Sequence, residues 1–185
     1  MSRDKIHWRE WTPWLFNEER LVSDVVKSIP HTPSIPWVVR LFENPSSPFY
    51  LPAPTTMAMH DTIHVLLGRG LLNQDEAFVI GFGMGASLGS TEVKRMIFEF
   101  VSSKLYPKAY RLNSDDLKVF NLAFDLAQQS SIRNIHLDNE RTLGRMSIKE
   151  AREYYGLDDN ILKEWYQQEI TLCSDTIVSK RLPTP

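Results

Sequence analysis

The segment MHDTIHVLLGRGLLNQDE carries the residues best suited to chemistry: His60, Asp61, His64 and Glu76. Two histidines four positions apart share one face of a helix, so both imidazoles reach a single ion. Neutral imidazoles bind divalent transition metals, and a carboxylate from a neighbouring element completes the set. Asp61 lies about 100° further round, so it is a ligand if the helix axis runs close to the ion and otherwise orients an imidazole. Glu76 follows His64 after eleven intervening residues, beyond Gly68-Arg69-Gly70, and returns to the histidines if that turn is compact. It has a second reading, because it stands three residues after Asn73 and fits the closing position of a capping box. The conjunction of HDxxH with the later glutamate favours a metal site over its separate parts. Zinc suits the donors first, with magnesium, manganese and iron as alternatives. Arg69, in a tight loop, is expected to face solvent.

Such a site needs two helices and a sharp reversal. The pattern predicts one helix over 57–67, capped by Thr55 or Thr56 and stopped by Gly68 or Gly70, and a second from Asn73 into AFVIGFGMGASLG. Within the second, Gly81-Phe82-Gly83-Met84-Gly85-Ala86 formally satisfies GxGxxA, but no strand precedes it, so a dinucleotide fold is rejected. Gly81, Gly85 and Gly89 make a smooth helix face that serves either close helix packing or a wall for a lipid chain. Phe78, Phe82 and Met96 join Gly81 and Gly85 as channel candidates, although aromatic and methionine residues at helical spacing also build ordinary core. Further helices are expected over 18–29, 92–105, 115–129, 148–155 and 159–172, with Ser147 and Glu150 as a capping box and Gly156 as a stop. The stretch 31–54 is proline-rich, with room for a short helix over 36–42. Strand patterns do not recur, so the fold class is all-α, a multi-helix bundle.

The whole chain, 185 residues with 42% hydrophobic and 24% charged, reads as one domain over 1–185. An arm over 1–16 holds Trp8, Trp11 and Trp14, read either as an interfacial anchor or as a strap on the core. The tail over 179–185 is expected to fray. A net charge of −2 leaves no basic surplus for phosphates, which argues against nucleic acid. A single cysteine, Cys173, makes neither an internal disulfide nor a thiolate metal site. The first twenty residues lack the apolar centre of a secretory leader, and no apolar run reaches the ~18 residues a span requires. His7, His31 and His136 lack ligand spacing and are expected on the surface or in loops. Metallohydrolase readings are set aside: HDTIH shortens the acid of HExxH by one methylene, and the further ligands of an HD phosphohydrolase have no reason to converge.

The pattern HDxxH-x(11)-E, met at His60, Asp61, His64 and Glu76, resembles the metal motif of the Coq-four family of ubiquinone-biosynthesis proteins. HVLLGRG, EAFVIGFGMG and, more loosely, SIKEAREYYGL are similar to that family as well. The segment PTTMAMHD departs from the arginine-rich run expected before the family's HD pair. The resemblance implies a helical fold, a divalent cation on those four residues and an apolar channel for a polyprenyl tail. It also implies peripheral contact with the inner face of a membrane from the cytoplasm, and a homodimer. The implied activity is oxidative decarboxylation at ring C1 of a polyprenylated quinone precursor, a metal-dependent lyase chemistry. The alternative is a non-catalytic isoprenoid-lipid-binding or scaffold protein of a quinone-biosynthesis complex.

Overall fold

In the computed structural model, which describes residues 6–30 and 56–183, the regular elements are helical and no strand occurs among the described residues. The helices are α1 (Val22–Val26), α2 (Met57–Leu66), α3 (Asn73–Gly85), α4 (Glu92–Phe100), α5 (Ser114–Gln129), α6 (Glu140–Leu143), α7 (Ile148–Tyr155) and α8 (Asp159–Leu172). This agrees with the all-α expectation. The short helix expected over 36–42 and His31 lie outside the described residues. None of the described helices is long and apolar enough to cross a membrane.

Caps explain most boundaries. Thr56 Oγ1 accepts from the Met59 amide at 3.1 Å and opens α2. At the other end Gly68 takes φ +66°, its amide bonds to the Val65 carbonyl at 3.3 Å, and the Arg69 amide bonds to the His64 carbonyl at 2.8 Å. These two bonds form a Schellman motif, which fixes the direction in which the chain leaves the helix. A Cβ on Gly68 would lie 2.3 Å from the Trp14 ring and 2.4 Å from the Tyr166 hydroxyl, so the turn is sealed from above. Two further carbonyls at this end find partners on distant helices: Leu66 O accepts from Arg152 Nε at 3.0 Å and Leu67 O from the Tyr166 hydroxyl at 2.8 Å. The capping box at Ser147 and Glu150 and the left-handed stop at Gly156 occur where the sequence places them.

Two elements are shorter than their patterns. Helix α1 covers only five of the residues over 18–29, because the chain before it pairs elsewhere. The Val22 amide bonds to Met146 O at 2.9 Å, and Ile148 and Lys149 donate to Arg20 O and Glu18 O at 2.9 and 3.0 Å. Helix α4 stops at Phe100 and continues as a π-turn over Val101–Leu105, where the Tyr106 amide reaches back to Val101 O at 3.1 Å.

The aromatic arm is a strap. Trp11 is buried and donates Nε1–H to Ser28 Oγ at 3.1 Å, while Trp14 meets Tyr166 edge-on at 5.6 Å. The tail does not fray at 179: Ser179 and Leu182 are buried, and Arg181 donates to the Arg9 carbonyl. Helices α3 and α5 pack closest, since a Cβ on Gly81 or Gly85 would stand 2.3 Å from the Phe120 or Phe124 carbonyl oxygen. Gly89 lies beyond the end of α3 and is exposed, so it does not extend that face.

Alanine at Gly81 gains about 1 kcal/mol of helix propensity but collides with backbone that cannot step aside, at a cost of about 1–3 kcal/mol. The collision should dominate, so Gly81→Ala is expected to lower the thermal midpoint by a few degrees. Gly89→Ala, with nothing nearer than 3.9 Å, should leave it unchanged. Calorimetry on the pair checks this, and equal midpoints would mean that the contact is not tight.

Candidate metal centre

The reversal after α2 places Glu76, on the first turn of α3, against the histidine face of α2. His60 Nε2 lies 3.0 Å from Glu76 Oε2 and 3.0 Å from His64 Nε2, and His64 Nε2 is 3.4 Å from the same carboxylate oxygen. The two rings meet at 70° with centroids 4.7 Å apart. His64 is buried, whereas His60 and Glu76 are partly open, so the trio is reached from the side of Glu76. Among the described residues these three form the group of metal-ligating type whose donor atoms all lie within 4.8 Å of one another. Asp61 is outside it.

Three lone-pair donors this close can share one positive charge between them. A neutral imidazole carries one N–H, so two neutral rings and a carboxylate cannot satisfy all three contacts without bringing protons or lone pairs face to face. A cation satisfies them together. Bonds of about 2.0–2.1 Å at tetrahedral angles put ligand atoms about 3.3 Å apart, in line with the observed edges. Two imidazoles and a carboxylate therefore fit a divalent transition ion, and the N₂O set favours zinc, manganese or iron over magnesium.

Burial works against charge on Glu76, but His64 and hydrogen bonds from both rings outweigh it and hold the carboxyl well below the ordinary glutamate range. At Asp61 burial prevails over the pull of His60 and His64, and its carboxyl is raised. Both imidazoles act on Asp61 electrostatically, so it influences the ligands without converging on them. His64 Nδ1 is buried with no hydrogen-bond partner among the described residues, so packing rather than an outer hydrogen bond holds this ring.

Glu76 is available because its neighbour caps the helix. The N-cap of α3 is Leu72, one residue earlier than Asn73, and its amide donates to Asp75 Oδ2 at 3.2 Å. The capping role proposed for Glu76 therefore belongs to Asp75. Arg69 does not face solvent: it is fully buried, with Nη1 2.6 Å from Glu169 Oε2 and its guanidinium over the Phe78 ring at 3.5 Å. Gln74 Nε2 donates to Glu169 Oε1 at 2.6 Å and to Ser179 Oγ at 3.1 Å. Glu169 escaped the sequence reading, yet it stands on the same side of α8 as Leu162, Trp165 and Tyr166, and that spacing is its signal. His136 is also buried, not on the surface, and burial lowers its basicity.

The channel candidates occupy different surroundings. Phe78 lies under Arg69, and Phe82 packs on Trp165 with centroids 5.2 Å apart. Gly81 and Gly85 are covered by α5, and Met96 points outward from α4. These five therefore do not share one wall. Compared with known proteins, the chain matches no family model, no curated protein and no solved structure.

Two expectations follow. Elemental analysis of purified protein should find about one divalent transition ion per chain, lost in His60→Ala/His64→Ala and weakened about 10–100-fold in Glu76→Gln, with Asp61→Asn within tenfold of wild type. Acid should release the ion, because ligand protonation competes with it while Glu76 stays ionised. Metal retained by the double variant would rule the trio out. The second concerns Asp75, whose carboxyl burial pushes up to about 6 despite the opposing charge of Arg69. Below pH about 4 the group is protonated whether folded or unfolded, and as pH rises through 6 the fold must hold a buried charge. Asp75→Asn should therefore gain on wild type between pH 4 and 7.5, by up to about 3 kcal/mol. Urea unfolding at both pH values tests it, and a difference independent of pH would show that Asp75 is not strained by ionisation.

Proposed function

We propose that this chain is a Coq-four-like metal protein that acts on a polyprenylated quinone precursor, removing the carboxylate at ring C1 oxidatively: the carboxyl leaves as carbon dioxide, water supplies the new ring hydroxyl and dioxygen takes the two electrons to become hydrogen peroxide. The observation that carries the reading is the meeting of His60, His64 and Glu76 at 3.0–3.4 Å, from the same positions that resemble the family's motif. These three residues would hold the ion. A divalent ion with positions left open supplies Lewis acidity toward a benzoate carboxylate or phenolate, and iron would add redox chemistry with oxygen.

The chain's own residues set the conditions for this. Glu76, kept ionised, and the two imidazoles leave a site that accepts an anionic group without a second charge to overcome. His64 anchors the trio from the core, and His60 and Glu76 border the approach, so a substrate ring arrives over their side. Asp61, adjacent to His60, has its carboxyl raised by burial against the pull of both imidazoles and stands beside the ligands without joining them.

The test is conversion of a polyprenylated hydroxybenzoate under air by metal-loaded protein, followed as release of carbon dioxide and appearance of the ring-hydroxylated product. Wild type should turn over. Glu76→Gln should lose about 100-fold or more while its thermal midpoint and its binding of the prenylated benzoate persist. Binding without turnover by fully loaded wild type would favour the scaffold reading instead.

A further inference from the structure

Helix α4 carries apolar residues on two sides. Phe98 points inward, as does Val101 in the π-turn that follows, and Phe98 stacks on Phe120 with centroids 4.7 Å apart. On the opposite side Val93, Met96, Ile97 and Phe100 are 65%, 65%, 44% and 60% exposed. Their positions, i, i+3, i+4 and i+7, form one stripe along the helix. Leu88 before the helix and Leu105 in the π-turn after it are exposed as well. Scattered apolar residues need no explanation, but a continuous stripe marks a surface that is covered in use.

The charges beside the stripe identify the cover. Residues 88–111 contain five basic and two acidic side chains, in a chain whose net charge is −2. Both acids, Glu92 and Glu99, lie beside Arg95 at 3.6 and 3.8 Å, and Arg95 also fastens α4 to Asp125 on α5 at 2.9 Å, so with Asp125 counted this face keeps a surplus of two positive charges. Lys104 and Lys108 are exposed and form no ion pair among the described residues. Lys104 stands one turn beyond Phe100, at the end of the stripe. A second copy of the chain would offer the same basic face back to itself, which sets like charges together. An anionic headgroup layer complements the lysines, and its acyl boundary accepts the stripe.

We propose that the outer face of α4 and its π-turn docks on an anionic phospholipid bilayer, with Val93, Met96, Ile97 and Phe100 entering the interface and Lys104 and Lys108 meeting headgroups. The tryptophan arm, the sequence's other anchor, is committed to the core through Trp11 and Trp14. The inference does not rest on metal chemistry.

Flotation with vesicles of phosphatidylcholine and phosphatidylglycerol at about 3:1 tests it. Wild type should float with these vesicles and about tenfold less with phosphatidylcholine alone or at high salt. Ile97→Glu/Phe100→Glu changes only exposed side chains, so its thermal midpoint should hold while flotation is lost. Lys104→Glu/Lys108→Glu should lose most of the preference for the anionic vesicles. The His60→Ala/His64→Ala protein should float like wild type, which separates this proposal from the metal centre. Wild type left in the dense fraction would overturn it, as would flotation unchanged by the Ile97/Phe100 substitutions. A wild-type dimer that those substitutions dissociate, with no flotation, would assign the stripe to self-association and equally overturn it.

Discussion

The candidate metal centre depends on a buried contact that contains none of its three residues. Arg69 and Glu169 are both sealed from water and meet at 2.6 Å, one in the turn after α2 and the other on α8. Taking either charge out of water alone costs several kcal/mol, so each is tolerated only where the other waits. The contact therefore makes closure of the α2–α3 turn and docking of the C-terminal helix one event. The Phe78 face supports the guanidinium, and Gln74 occupies the second carboxylate oxygen of Glu169. Removing either partner leaves a lone buried charge beneath the hairpin that holds Glu76 against the histidines.

Adjacent acids on α3 show how that frame sorts similar residues. Asp75 and Glu76 differ by about 100° around the helix. One turns inward to the Leu72 amide and the field of Arg69, and burial raises its carboxyl to about 6. The other, partly open, turns toward two imidazoles, which hold it ionised. Neighbouring carboxyls thus take opposite parts, a helix cap and a ligand-type anion, because different partners face them.

The hairpin and most helix limits were legible because their signals are local. Thr56, Gly68, Ser147, Glu150 and Gly156 act within one or two turns, and helix α8 over Asp159–Leu172 matches its apolar period. His60, His64 and Glu76 were legible as a set, since spacing on one helix and a glycine turn bring them together. What stayed hidden is tertiary. The fate of Arg69 is decided about a hundred residues away, on α8. The length of α1 is decided by pairing with residues 146–149, and no periodicity within 18–29 contains that information. Nor does the amphipathic pattern of α4 reveal which of its two apolar sides faces inward, a choice fixed by Phe120 on α5.

The same division of labour bears on what a metal contributes. In small zinc modules the ion organises its own ligands, and folding free energy is binding free energy. Here the donors are placed by a Schellman turn, by Tyr166 and Arg152 on the end carbonyls of α2, and by the Arg69–Glu169 contact. An ion bound in such a frame would order little chain, so its binding energy would go to affinity more than to closing the hairpin. Its stabilisation would follow ligand concentration as RT ln(1 + [L]/Kd). A scaffold of this kind leaves the open side of the trio, at His60 and Glu76, as the part of the site whose surroundings can vary without cost to the core.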